Sequence, residues 1–303
     1  MASGDLFTGF PPPDEPPGED PGRRIFVGTS GYSFADWVGP FYPPGTRPGD
    51  FLAHYARHFP AVEVNATYYR VPPPAAIAAM ERKTPPGFRF LVKVNQAITH
   101  ERLLEPSLVR DFRAALAPLR DAGKFDGLLA QFPWGFRRTP ANEAHLASLR
   151  GALADDPLFV EFRHDSWAGP DVADRLRGAG LGFCAVDEPA LEGLMPPVAF
   201  VTAADAYVRF HGRNARNWWG AAREAPGGGR PADAPRGASA RASGDRYDHD
   251  YTADELREWI GKVRDLANQA RRTYLFFNNC HAGQAARSAK LMQQLLRQQG
   301  LPV

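Results

Sequence analysis

Eight short apolar runs recur along this chain, and seven of them carry a charged or amide side chain late in the run, where an apolar one would be ordinary. They cover 24–31, 61–67, 88–94, 127–132, 159–163, 182–187, 206–211 and 273–278. Between them, apolar residues fall at helical spacing over 51–59, 72–83, 107–121, 141–153, 171–179, 253–270 and 283–298. Strand and helix in alternation argue for parallel strands with helices outside. Eight such units in 303 residues argue for a closed (β/α)8 TIM barrel, a single α/β domain, over an open sheet. The helix between strands six and seven is missing or irregular in this reading, because Pro189, Pro196 and Pro197 interrupt the segment. An open doubly wound sheet is the competing architecture. Against it, Gly28-Thr29-Ser30-Gly31 lacks the third glycine and the immediate helix of a dinucleotide-binding turn.

The segments outside these units read differently. Residues 1–23 are rich in proline, glycine and acid, and cannot bury enough apolar surface to offset their ordering entropy, so a disordered tail is expected there. The barrel domain then spans 24–303. Residues 220–246 carry Gly227-Gly228-Gly229 and five arginines against three acids, the composition of a flexible, mildly basic insertion: a solvated loop, or in a sharper reading a lid or a nucleic-acid contact. The net charge of +2 gives no bulk preference for a polyanion. Two cysteines, Cys184 and Cys280, suit buried thiols in a reducing compartment. No run approaches the roughly 20 apolar residues of a membrane span, and the N-terminus lacks a basic-then-apolar secretory pattern. No membrane association and a cytoplasmic location are therefore expected.

Function is indicated by the strand ends. Glu161 and Arg163 are two residues apart, so a strand places both on one face. Such charges are costly inside a fold unless they pair or meet a ligand. The pattern repeats with Glu63 and Asn65, Lys93, Gln131, Asp187, Arg209 and His211, and Asn278 with Asn279. Active sites of closed βα barrels lie at the C-terminal ends of the strands, and most of these side chains are expected to point inward there. Glu161 and Glu63 are the candidate acid and base, with Asp187 a further acidic candidate. Lys93 is either a Schiff-base nucleophile or, as the favoured reading, the partner of Glu161. Arg163, Arg209 and His211 suit an anionic ligand, with Asn65, Gln131, Asn278, Asn279 and His100 as further polar contacts. Trp37, Tyr42, Tyr68 and Trp167, like Trp134 and Trp218, stand after strand ends and suit stacking on a sugar or base, or else cap the barrel core. No cofactor is expected; a divalent metal on Glu161, Asp187 and His211 is a minor alternative.

Taken together, the motifs resemble the YecE-like family of TIM-barrel proteins, domain of unknown function 72. The resemblance rests on Gly28-Thr29-Ser30-Gly31 with Trp37 and Phe41-Tyr42-Pro43, on 62–69, on Phe90-Leu91-Val92-Lys93 with Thr99-His100, and on Gln131-Phe132-Pro133. It continues through Glu161-Phe162-Arg163 with Ser166-Trp167, through 207–212, and through Phe276-Phe277-Asn278-Asn279. Tyr32 and Phe34 depart from the expected Trp and Tyr, and the 220–246 insertion lengthens one loop. The resemblance implies a TIM barrel and names no reaction. The residues themselves favour an enzyme using acid–base chemistry on a small polar substrate, a sugar, phosphorylated compound or nucleotide. A nucleic-acid-binding or processing barrel and a non-catalytic ligand sensor are the alternatives.

Overall fold

The computed structural model describes residues 22, 24–219 and 246–303. Nearly all of the 1–23 tail and of the 220–246 insertion, and with them the expectations for both, lie outside the described residues.

Eight parallel strands form one sheet in the order β1-β8-β7-β6-β5-β4-β3-β2. They are β1 Ile25–Thr29, β2 Ala61–Val64, β3 Arg89–Lys93, β4 Phe125–Gln131, β5 Leu158–Glu161, β6 Gly182–Asp187, β7 Ala206–Phe210 and β8 Thr273–Phe277. The sheet closes where Ser30 bridges Glu63 and the Gly31 amide donates to the Glu63 carbonyl at 2.9 Å. Below that point the seam is completed by a side chain. The hydroxyl of Tyr55 accepts from the Thr29 amide at 2.8 Å and donates to the Ala61 carbonyl at 3.0 Å. A Cβ on Gly28 would lie 2.2 Å from that same Ala61 carbonyl. Only glycine allows the first strand this close.

The helices are α1 Phe51–Tyr55, α2 Ala66–Tyr69, α3 Pro74–Glu81, α4 Gln96–Thr99, α5 Pro106–Ala115, α6 Ala117–Asp121, α7 Pro140–Ala152, α8 Val172–Gly178, α9 Ala253–Gln269 and α10 Gln284–Gln298. The run at 107–121 divides into α5 and α6 at Leu116, two residues before Pro118, whose ring cannot continue the backbone ladder. Between β6 and β7 the chain crosses without a helix, as the prolines require. There Phe200 stacks on Phe183 at 4.1 Å, and the Thr202 hydroxyl accepts from the Phe183 amide and donates to the Leu181 carbonyl, both at 2.7 Å. The outer face of β6 is thus covered by an irregular segment in place of a helix.

Two apolar layers result. The larger lies between strands and helices and includes Val62, Val92, Val160, Val208, Leu256 and Trp259. The smaller fills the barrel interior with Phe26, Ala61, Leu91, Leu129, Phe159, Cys184, Tyr207, Tyr274 and Phe276. Strand alternation puts residues i and i+2 on one face, so the next inward positions toward the C-terminal mouth are Glu63, Lys93, Gln131, Glu161, Arg209 and Asn278. A dry floor ends and a charged layer begins within one strand step.

Candidate functional site

The charged layer is built around Arg209, which is 1% exposed. Its Nη2 lies 2.8 Å from Glu63 Oε1 and its Nη1 lies 2.6 Å from Glu161 Oε2. Tyr207, one inward step below on the same strand, donates to the other oxygen of Glu63 at 2.6 Å. Ser30 at the end of β1 faces Arg209 Nη2 at 3.4 Å. A fully buried cation is tolerable only with such partners. Here two carboxylates from opposite parts of the barrel share one guanidinium.

Arg163 stands one inward step above Glu161. Its Nε approaches Glu161 Oε1 at 2.7 Å, and its Nη1 donates to Glu188 Oε2 at 2.9 Å. Glu188 Oε1 accepts from the Met195 amide at 3.0 Å. His211 completes the group, with Nε2 at 3.3 Å from Glu161 Oε1. Its Nδ1 faces Asn278 Nδ2 at 3.1 Å and Arg163 Nη2 at 3.5 Å. Both of those neighbours are donors, so Nδ1 is the acceptor and the ring proton sits on Nε2, facing the carboxylate. Burial and the Arg163 charge push His211 well below the ordinary imidazole range, which keeps it neutral. The contacts around Glu161 Oε1 are short but poorly aligned, and Arg163 Nε, Arg209 Nε and His211 Nε2 also lack well-formed hydrogen bonds. Native structures leave few buried polar atoms in that condition.

The carboxyl groups are treated unequally. Burial opposes ionisation of Glu161, but Arg163, Arg209 and His211 outweigh it and hold its carboxyl well below the usual range. For Glu188 burial wins over Arg163, and its carboxyl is pushed up to about 7. Lys93 moves the opposite way: burial, reinforced by Arg209, lowers its ammonium to about 7. Lys93 is not paired with Glu161. Its Nζ donates to Gln131 Oε1 at 3.0 Å and lies 4.2 Å from the centre of the Tyr68 ring, with no carboxylate within 4.0 Å among the described residues.

Above these groups is a cavity of about 230 Å³ whose walls include His100, Gln131, Trp134, Arg163, Trp218 and Tyr247. Arg246 also lines it, its guanidinium 5.9 Å from the Trp218 ring and 5.8 Å from that of Tyr247. His100 packs edge-on against Tyr68 at 5.3 Å and exchanges a hydrogen bond with the Thr99 hydroxyl at 2.9 Å. Asn65 precedes α2, and its Oδ1 is buried without a hydrogen-bond partner among the described residues.

Of the sequence candidates, His100, Gln131 and Arg163 line this cavity, and five others leave the strand-end group altogether. Asp187 lies three residues beyond the inward Cys184, so alternation turns it outward. There it accepts from Tyr251 and Trp259 at 2.6 and 2.5 Å and pairs with Arg213 at 2.7 Å, tying the end of β6 to the α9 region. With Asp187 outside, the carboxylate–imidazole metal set does not assemble; among the described residues no cluster of three or more His, Cys, Asp or Glu side chains is placed to hold a metal. Trp37 donates to the Cys280 carbonyl at 2.7 Å, and Tyr42 stacks on Phe51 at 4.2 Å, both in the layer around α1. Trp167 stacks on Phe162 at 4.1 Å and donates to the Phe136 carbonyl at 2.7 Å. Asn279 donates to the His249 carbonyl at 2.8 Å and faces Ser288 Oγ at 3.1 Å. These side chains hold loops and helices to the barrel.

Glu188, Tyr207, Ser30 and Tyr247 join the site without having been expected. Counting inward positions by twos from Cys184 reaches Glu188, and counting back from Arg209 reaches Tyr207, so alternation carried both signals. Tyr247 follows the 220–246 insertion, and no local pattern marks it.

The comparisons with known proteins agree with this architecture. The family described as "Protein of unknown function DUF72" matches residues 26–302. The UPF0759 protein YunF of Bacillus subtilis (strain 168) is 31% identical over 284 residues, covering 90% of this chain and 94% of its own. The UPF0759 protein YecE of Escherichia coli (strain K12) is 31% identical over 173 residues, 55% of this chain and 59% of its own. A crystal structure of a DUF72 family protein from Thermotoga maritima MSB8 superposes with a TM-score of 0.76 at 37% identity, covering 90% of this chain and 99% of the other. One from Enterococcus faecalis V583 gives 0.75 at 27% identity, covering 90% and 95%. Among the described residues no helix is long and apolar enough to cross a membrane. The eight-stranded parallel barrel, the strand-end motifs and the match along almost the whole chain place this protein in the DUF72 family.

Proposed function

We propose that this protein is an enzyme that performs acid–base chemistry on a small polar compound bearing a phosphate or carboxylate, bound at the C-terminal mouth of the barrel. The observation that carries this reading is the unequal sharing of charge in one layer. Arg209 is divided between Glu63 and Glu161, Arg163 between Glu161 and Glu188, and among the described residues Lys93 has only an amide oxygen and an aromatic face. A layer serving stability alone gains by pairing every charge, since an unpaired buried ion costs several kcal/mol, roughly. Environments that push titratable groups apart are what general acid–base catalysis needs near neutral pH.

The roles follow from the contacts. Glu63 and Glu161 fix the two guanidiniums, and Glu161, held well below the usual carboxylate range, exchanges no proton at neutral pH. Arg163, at the cavity wall, and Arg246 receive the anionic group, while Trp134, Trp218 and Tyr247 offer faces to a sugar or base. Glu188 and Lys93 are the groups that exchange protons.

A panel of inorganic phosphate, glucose 6-phosphate, AMP and pyruvate tests the reading by thermal shift and then by turnover. At least one of the organic anions should raise the melting temperature, and Arg163→Met should abolish the rise. If none binds while a random oligonucleotide does, with affinity falling steeply as salt increases, the site belongs to a nucleic-acid-binding barrel.

A further inference from the structure

Two lysines of this chain, Lys124 buried and Lys93 half-buried, are held differently. Lys124, beside α3, has four acceptors within reach of its Nζ: the carbonyl and carboxylate of Glu81 at 3.0 and 2.8 Å, and the carbonyl and hydroxyl of Thr84 at 2.9 and 3.1 Å. That is how a structural ammonium is satisfied, with three donors and a counter-ion. Lys93 has one amide acceptor, Gln131 Oε1, and the Tyr68 ring. Its nearest charged surroundings include the guanidiniums of Arg209 and Arg163, each already committed to carboxylates. Gln131 lines the cavity and Lys93 does not, so the amine is one hydrogen bond, 3.0 Å, from a side chain of the cavity wall.

Resting on the acid–base reading above, we infer that Lys93 is a nucleophile that forms an iminium with a small aldehyde or ketone carrying a phosphate or carboxylate. The Nζ lone pair attacks the carbonyl carbon, a C–N bond forms, and the carbonyl π pair moves to oxygen, which takes a proton to give a carbinolamine. Nitrogen gives up one of its two protons and, as the oxygen takes a second proton, expels it as water while its lone pair forms the C=N bond, so amine and carbonyl together take up one net proton. No electron leaves the system and no co-reactant is consumed. The iminium restores a positive charge beside the Tyr68 face and Gln131 Oε1, the positions that receive the ammonium in the free protein. Desolvation that lowers an amine's proton affinity is the usual route to such a nucleophile; burial beside Arg209 provides it here. Arg163 and Arg246 place the anionic group of the substrate at the cavity wall.

The test is reductive trapping on the full chain, with pyridoxal 5′-phosphate and glyoxylate as anionic aldehyde probes. Sodium borohydride is added at pH 7 and the labelled peptides are identified by mass spectrometry. Lys93 should be labelled at least tenfold faster than Lys124 or the exposed Lys83, and Lys93→Arg should lose that label while keeping the far-UV spectrum of the parent. Labelling spread over surface lysines with Lys93 unmodified overturns the inference. Binding of the same probes by thermal shift, recorded alongside, separates the two claims. A melting-temperature rise that Arg163→Met abolishes, with no adduct at Lys93, removes the covalent step and leaves the acid–base site standing; no adduct and no binding remove both.

Discussion

Opposite pH dependences are expected from two residues a few ångströms apart in function. Lys93 has a folded-state pKa of about 7 against an ordinary 10.5. Between those values the unfolded chain binds the proton and the folded one does not, so stability rises with pH across that window. Lys93→Met removes the cost, and at pH 7 the variant should be more stable than the parent by more than about 1 kcal/mol. Glu161 behaves in the reverse sense. Its carboxyl is held below the usual range, so its contribution is complete above the ordinary carboxylate pKa and is lost as the solution becomes more acidic. Glu161→Gln leaves Arg163 and Arg209 short of a carboxylate and should cost roughly 3–5 kcal/mol at pH 7. Urea midpoints for both variants from pH 4 to 10 check the two signs together. The residue types that carry this contrast were legible in the sequence, but their pairing was not. Strand spacing places Lys93 and Glu161 in one layer; which carboxylate meets which cation depends on barrel closure, and closure gave Glu161 to the arginines and Lys93 to Gln131.

At the level of elements, the weak point of the cylinder is the seam between the first two strands. β1 and β2 meet through the Ser30–Glu63 bridge, and lower down the Tyr55 hydroxyl stands between the Thr29 amide and the Ala61 carbonyl. Tyr55→Phe leaves both backbone groups unsatisfied in a buried position and should cost about 1–3 kcal/mol. Amide exchange at Thr29 should quicken in the same variant, which distinguishes an opened seam from a general loss of stability. The sequence could not announce this: Tyr55 reads as an apolar position of an amphipathic helix, and its hydroxyl matters only because Gly28 lets the strands draw together. Alternation within strands was more informative. It brought Glu63, Lys93, Gln131, Glu161, Arg209 and Asn278 into one layer, with Arg163 and His211 one inward step above. It also shows why Asp187 left: the inward face of β6 is set by Cys184, and Glu188, one residue on, is the carboxylate that stays. The aromatics followed no such period. Trp37 and Trp167 end short 3-10 turns and Tyr42 lies in a connecting segment, where side-chain direction is fixed by packing and carries no repeat, and all three turned to the helices.

Over the whole molecule, the number of βα units and the proline-interrupted crossing fixed the architecture. The helix after β6 is absent for the reason its prolines imply. What the fold adds is a vertical order inside the cylinder: aromatic and aliphatic floor, then paired ions, then a cavity walled by tryptophan, tyrosine and arginine. Among the described residues, Lys93 is the cation of the strand-end layer with no carboxylate within 4.0 Å, and the functional account stands on its being a neutral amine at physiological pH. The direct measurement is an NMR titration of the Lys93 side chain, assigned by comparison with Lys93→Arg and followed through its Cε shift. A midpoint near 7 is predicted. A midpoint near the ordinary 10.5 would mean an ammonium satisfied where it stands, and would contradict the account.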